Sequence, residues 1–92
     1  MAMLNETEII AEQENVPQWE RIGNEIVRTY ELDDFPTAIS FVGRVAELSE
    51  AANHHPDIDI RYRKVRIALT THDAGGLTKL DFSLAQEIDQ AL

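Results

Sequence analysis

DIDIRYRKVRIALT, residues 57–70, decides the fold. Ile58, Ile60 and Tyr62 alternate with polar residues. After Arg63 and Lys64 the same alternation resumes through Val65, Ile67, Leu69 and Thr71. A period of two marks half-buried strands, because successive side chains of a strand point to opposite faces. A two-residue turn at Arg63-Lys64 predicts that Tyr62 pairs with Val65, Ile60 with Ile67 and Ile58 with Leu69. All the apolar side chains then share one face, as an antiparallel sheet covered on one side requires. Arg-Lys lacks the Asn or Gly that a type I′ turn favours, so the pairing rests on the alternation and not on the turn.

Working outward, Asp34 to Asn53 has the spacing of a long helix. Phe35, Ala38, Phe41, Val42, Val45, Leu48, Ser49 and Ala52 recur every three or four residues. Asp33 or Asp34 can cap its start, with Pro36 tolerated in the first turn. Pro56 is expected to end it, because the residue before a proline, here His55, is disfavoured in the helical region. Upstream, QWERI (18–22) and EIVRTYEL (25–32) flank Gly23-Asn24, a two-residue hairpin signal. Arg28 interrupts the alternation there. Downstream, Ala74-Gly75-Gly76 breaks the last strand, and Leu77 to Leu92 has the pattern of a closing helix. Thr78 and Asp81 stand where a capping box would place them.

The predicted fold is therefore α+β: a four-stranded antiparallel sheet with two or three helices packed on one face. Residues 1–92 form a single domain, with 1–15 as an N-terminal arm or short helix. Ninety-two residues suffice for one core and not for two. The apolar fraction of 43% and charged fraction of 27% suit a folded soluble chain. No cysteine is present, which excludes disulfides and thiolate chemistry. The start, MAMLNETEIIAEQ, has neither the basic nor the apolar segment of a secretion signal, and no apolar run is long enough for a membrane span. The expected location is cytoplasmic, with no membrane partner. A net charge of −9 argues against direct nucleic-acid binding. Arg61, Arg63, Lys64 and Arg66 run against that charge and are expected at the solvated end of a hairpin.

Chemistry concentrates at EAANHHP, residues 50–56. If the helix extends that far, Glu50 and His54 share a face and the carboxylate orients the imidazole. His55 belongs to the extended segment and points elsewhere. The expected strand pairing sets position 55 opposite 72, so His72 joins the same corner. One histidine at a helix end would be an ordinary cap, but three converging side chains point to a site. No His-x-His or HExxH spacing supports a metal centre, so acid–base chemistry without metal or cofactor is the expectation. For Asp81, helix capping is a sufficient explanation. Trp19, Phe35, Phe41 and Phe82 are expected in the core.

These residues resemble the pterin-4a-carbinolamine dehydratase family. The resemblance rests on Glu50, three residues, His54-His55-Pro56, five residues, Tyr62, nine residues, His72, eight residues, then Asp81. Trp19, Tyr30-x-Leu32, Asp34-Phe35 and THDAGGLTKLD (71–81) agree with it, and it covers roughly residues 16 to 90. It implies dehydration of 4a-hydroxytetrahydropterin to quinonoid dihydropterin, in the recycling of tetrahydrobiopterin, by an enzyme that needs no metal. It implies His54, His55 and His72 as catalytic residues, Glu50 in support, and Thr71 to Asp73 meeting the polar edge of the pterin. It also implies a homodimer or homotetramer. Some related chains act instead as dimerisation, assembly or transcription-coactivator modules, with a protein as partner. The Val16-Pro17-Gln18 lead-in to the tryptophan departs from the family's glycine-containing one, so the arm is expected to pack in its own way.

Overall fold

The computed structural model describes residues 2–92. Its helices begin where side-chain oxygens meet the first free backbone N–H groups. Helix α1 (Glu6–Gln13) starts with a capping box between Asn5 and Glu8. Helix α2 (Phe35–Ala52) starts at Asp34, whose carboxylate accepts from the Thr37 N–H, with Pro36 in the first turn. Helix α3 (Lys79–Gln90) starts with the expected box between Thr78 and Asp81. The end of α2 differs from expectation. Asn53 takes up a left-handed conformation, φ 50° and ψ 42°, and stops the helix three residues before Pro56. Asparagine tolerates that conformation and is a common helix terminator. Pro56 therefore does not end α2, and His54 lies outside the helix.

The sheet has the order β1-β2-β4-β3, all antiparallel, from β1 (Glu20–Ile22), β2 (Glu25–Glu31), β3 (Asp57–Arg61) and β4 (Lys64–Leu69). Gly23-Asn24 joins β1 to β2 as predicted, with Ile22 opposite Glu25. The β3–β4 turn is Tyr62-Arg63 instead of Arg63-Lys64, so Ile60 pairs with Val65 and Ile58 with Ile67. Arg63 is held away from the ladder by Leu32: the Leu32 N–H donates to the Arg63 carbonyl, and the Arg63 guanidinium donates to the Leu32 carbonyl. Tyr62 adopts φ 55° to complete the turn. A shift of two residues keeps Ile58, Ile60, Val65, Ile67 and Leu69 on their predicted face, because the period of a strand is two, while Tyr62, predicted opposite Val65, leaves the ladder for the turn. Ile58 and Ile60 nonetheless stay 36% and 37% exposed, since β3 is an edge strand and the helices cover the middle of the sheet.

The core lies between the sheet and the helices. Ile26, Tyr30, Val65, Ile67 and Leu69 from the sheet meet Phe41 and Val45 of α2 and Phe82, Leu84 and Ile88 of α3. Trp19 is buried with them, as is Phe41, whereas Phe35, expected in the core, is 47% exposed. Arg28, the residue that interrupted the alternation, faces the same side as Ile26 and Tyr30. Its guanidinium lies 4.3 Å from the centre of the Tyr30 ring and donates to Asp89 Oδ1 at 2.8 Å. The Trp19 indole N–H donates to the same oxygen at 3.0 Å, and so does the Tyr30 hydroxyl. One carboxylate thus ties the last turn of α3 to β2 and to the residue just before β1.

Burial raises the pKa of Tyr30 well above the usual phenol range, and the hydrogen bond and charge of Asp89 push the same way, against Arg28. The unfolded chain then loses the phenol proton first, near pH 10. The contribution of Tyr30 is whole below that pH and is lost as pH rises toward the folded value. Tyr30→Phe should cost about 0.5–3 kcal/mol at neutral pH, through the lost hydrogen bond to a charged acceptor. Denaturant midpoints should fall less steeply above about pH 10 in the variant than in the wild type. Parallel curves would refute the linkage.

Candidate active site

Where β3 begins and β4 ends, the structure has an open cleft of about 230 Å³. His54, His55 and His72 all line it, with Asn53, Thr70, Thr71 and Asp73. The chain brings them together by a route other than the predicted one. The observed pairing of Asp57 with Ala68 would set position 55 opposite 70, not 72. His72 arrives instead because the chain leaves the ladder after Leu69 and doubles back. A single 3₁₀ turn, His72–Ala74, is closed by a bridge between Thr71 and Gly76, with Gly75 at φ 80°.

His54 is almost buried and is held from within. Its Nε2 lies 2.6 Å from Asp81 Oδ1, and the Asp81 side chain is wholly buried. The other carboxylate oxygen, Oδ2, accepts from the Thr78 N–H and from the Thr71 hydroxyl, each at 2.9 Å. Having given its only proton to Asp81, Thr71 accepts from the Thr78 hydroxyl at 2.9 Å, and Thr78 accepts from the Leu80 N–H. With Asp81 as its carboxylate, which can only accept, the proton between it and the ring is carried by His54 Nε2. Among the described residues, Nδ1 has no protein partner, so it is the ring nitrogen left for the cleft. Asp81 therefore does two things: it caps α3 and it fixes the face and tautomer of His54. In the sequence, capping alone accounts for Asp81, because nothing local announces a partner 27 residues upstream.

The predicted Glu50–His54 pair does not form, since α2 stops before His54. Glu50 instead holds His55, with Oε2 2.5 Å from Nε2. Both side chains are exposed, at 77% and 58%, so the contact orients His55 with little effect on stability. His72 and Asp73 are exposed in the lining of the cleft, and among the described residues the His72 ring makes no hydrogen bond to protein. Pro56 directs the chain into β3, and Tyr62, 69% exposed at the far end of that strand, is outside the cleft. Asn53 and Thr70 were missed. The signal for Asn53 was available, as an asparagine just past the last residue of a helical pattern. Thr70 carried none. Among the described residues, no three His, Asp or Glu side chains come together in a way that could hold a metal ion. Nor is any described helix long and apolar enough to cross a membrane.

Residues 2–91 match the family model described as pterin 4 alpha carbinolamine dehydratase. A curated protein of Chloroflexus aggregans, named "Putative pterin-4-alpha-carbinolamine dehydratase", is 61% identical over 93 residues, covering 100% of this chain and 99% of its own. One of the same name from Chloroflexus aurantiacus is 59% identical over 92 residues, with the same coverage. A crystal structure from Brucella melitensis, described as a transcriptional coactivator/pterin dehydratase, superimposes with a TM-score of 0.92 at 28% identity. It covers 97% of each chain.

Proposed function

Because this chain belongs to the pterin 4 alpha carbinolamine dehydratase family, we propose that it removes water from 4a-hydroxytetrahydropterin to give quinonoid dihydropterin. The observation that carries this reading is the set of three imidazoles on one small cleft, one of them locked by a buried carboxylate. The reaction breaks the C4a–O bond, and the hydroxyl leaves as water once it gains a proton. N5 gives up its proton, and the electron pair of the N–H bond forms the C4a=N5 double bond. One acid and one base near neutral pH are needed, and imidazole serves as either.

His54 is the proton donor to the hydroxyl through Nδ1, because Asp81 holds its other nitrogen and leaves Nδ1 for the substrate. His72, on the same cleft, takes the N5 proton, or acts as the acid for the opposite face. His55 holds the pterin ring, steadied by Glu50, and the main chain from Thr71 to Asp73 meets the polar edge of the substrate. A cleft of about 230 Å³ is below the roughly 300–1,000 Å³ of sites for drug-sized ligands, which suits one fused bicyclic ring.

The test is the disappearance of 4a-hydroxytetrahydropterin, followed by its ultraviolet absorbance. The protein should accelerate dehydration well beyond the spontaneous and buffer-catalysed rates. Equal rates with and without protein would reject the enzyme and favour a coactivator or assembly role on the same fold. The same reading makes the protein cytoplasmic and homo-oligomeric. The unpaired edge of β3, with Ile58 and Ile60, and the exposed Phe35 and Ile39 of α2 are the surfaces a second copy would cover. A monomer mass by light scattering at micromolar concentration would remove the oligomer from this proposal.

A further inference from the structure

The three histidines are not held alike. His54 has Asp81 and His55 has Glu50, but among the described residues the ring of His72 has no hydrogen-bonded protein partner. Its place is set by the main chain of the Thr71–Gly76 turn alone. That turn closes on itself through Thr71 N–H to the Gly76 carbonyl, Gly76 N–H to the Thr71 carbonyl and Gly75 N–H to the His72 carbonyl. Such a loop keeps one shape only if something backs it.

The N-terminal arm is that backing. The Leu4 N–H donates to the Leu77 carbonyl at 2.8 Å, next to the turn, and the Leu4 side chain is part of the core. The Met3 thioether sulfur lies 2.7 Å, and its Cγ 3.3 Å, from where a Cβ on Gly76 would sit. The φ of Gly76 is outside the left-handed region, so a methyl group there would meet the Met3 side chain, which is 55% exposed and able to swing aside, and not the backbone. The arm is itself secured: Asn5 begins α1, and Glu6 grips Arg21 with two hydrogen bonds, at 2.5 and 2.8 Å. Arg21 donates to the Gly23 carbonyl of the β1–β2 turn, and the next carbonyl, Asn24, accepts from the Thr70 hydroxyl at the lip of the cleft.

We infer that Met3–Asn5 form a strap that positions His72, with Met3 seated beside Gly76 and Leu4 hydrogen-bonded to Leu77. This rests on the dehydratase reading for its rate measurements, but not for its spectroscopic ones. Met3 and Leu4 are thus positioning residues, acting through the turn.

A size swap tests the inference in the full chain. Gly76→Ala should put a methyl group where the thioether lies, turn the Met3 side chain outward and unseat the strap, lowering kcat by about tenfold through misplacement of an imidazole and changing KM less. Met3→Ala should loosen the turn and lower kcat in the same sense. In the double variant the methyl group added at position 76 takes the place of the thioether, and kcat should recover to within a few-fold of wild type. The His72 ring signals in proton–carbon correlation spectra should shift or broaden in each single variant and return in the double, while those of His54 stay fixed. Unchanged His72 signals in both single variants would overturn the strap, as would a double variant no better than Gly76→Ala. If the chain were not a dehydratase, the rates would be silent and the spectra would still decide.

Discussion

His54→Ala is expected to slow dehydration by roughly 10²–10⁴-fold, with His72→Ala in the same range and His55→Ala less affected. The order follows from how each ring is held. His54 has one nitrogen fixed on a buried carboxylate and one left for the substrate, so it arrives with its proton geometry already set. Truncating it removes the proposed proton donor and leaves the buried Asp81 without one of its three hydrogen-bond donors. Some loss of stability should therefore accompany the loss of rate, and the activity must be read well below the unfolding midpoint. His55 is more than half exposed and tied to an exposed glutamate, an arrangement that guides a ligand more than it moves a proton. Single-turnover rates of the three variants, with circular dichroism to confirm the fold, give the comparison. Near-wild-type turnover by His54→Ala would end its assignment as the acid, and a larger loss in His55→Ala would reverse the roles.

How far the sequence reaches is clearest at this corner. The alternation from Ile58 to Leu69 gave the two strands and the face each side chain takes, because a period of two survives a shift of two residues. It did not give the turn. Tyr62 at φ 55° goes with the contacts that Arg63 makes with Leu32, just past the end of β2, and no local propensity favours it. The end of α2 failed for a related reason. Pro56 was the louder signal and Asn53 the operative one, since a left-handed asparagine can stop a helix before a proline is reached. That difference of a turn moved His54 off Glu50 and onto Asp81. The three histidines still converged, because α2, β3 and the 3₁₀ turn meet at one end of the sheet. Their partners were not visible, since the His54–Asp81 contact spans 27 residues and both halves had adequate local explanations. The Asp89 cluster was hidden in the same way. Arg28 reads as an interruption until a carboxylate 61 residues away supplies its reason.

Asp81→Asn should separate the two duties of that side chain, with a rate loss of roughly 10²–10⁴-fold and a smaller cost in stability. The amide has one acceptor where the carboxylate had two. If its oxygen stays on His54, its NH₂ faces the Thr78 N–H, a backbone donor that cannot reverse. If the amide turns over, its oxygen keeps the Thr78 N–H and the Thr71 hydroxyl, and its NH₂ meets His54 Nε2. The imidazole can adapt by carrying its proton on Nδ1 instead, so the second arrangement is the lower in energy. The cap then survives, but the doubly protonated ring that proton delivery requires would face another donor. Asp81→Ala strands all three donors at a wholly buried position and should cost about 3–5 kcal/mol, a loss the asparagine variant largely avoids. Nitrogen-15 shifts of the His54 ring should report the proton moving from Nε2 to Nδ1 in Asp81→Asn. Glu50→Gln is the contrast: its exposed pair with His55 is worth at most about 1 kcal/mol, so both rate and stability should stay near wild type. If Asp81→Asn turned over as fast as Glu50→Gln, the buried carboxylate would be a helix cap alone, and the proton chain from Thr78 to His54 would have no part in the chemistry.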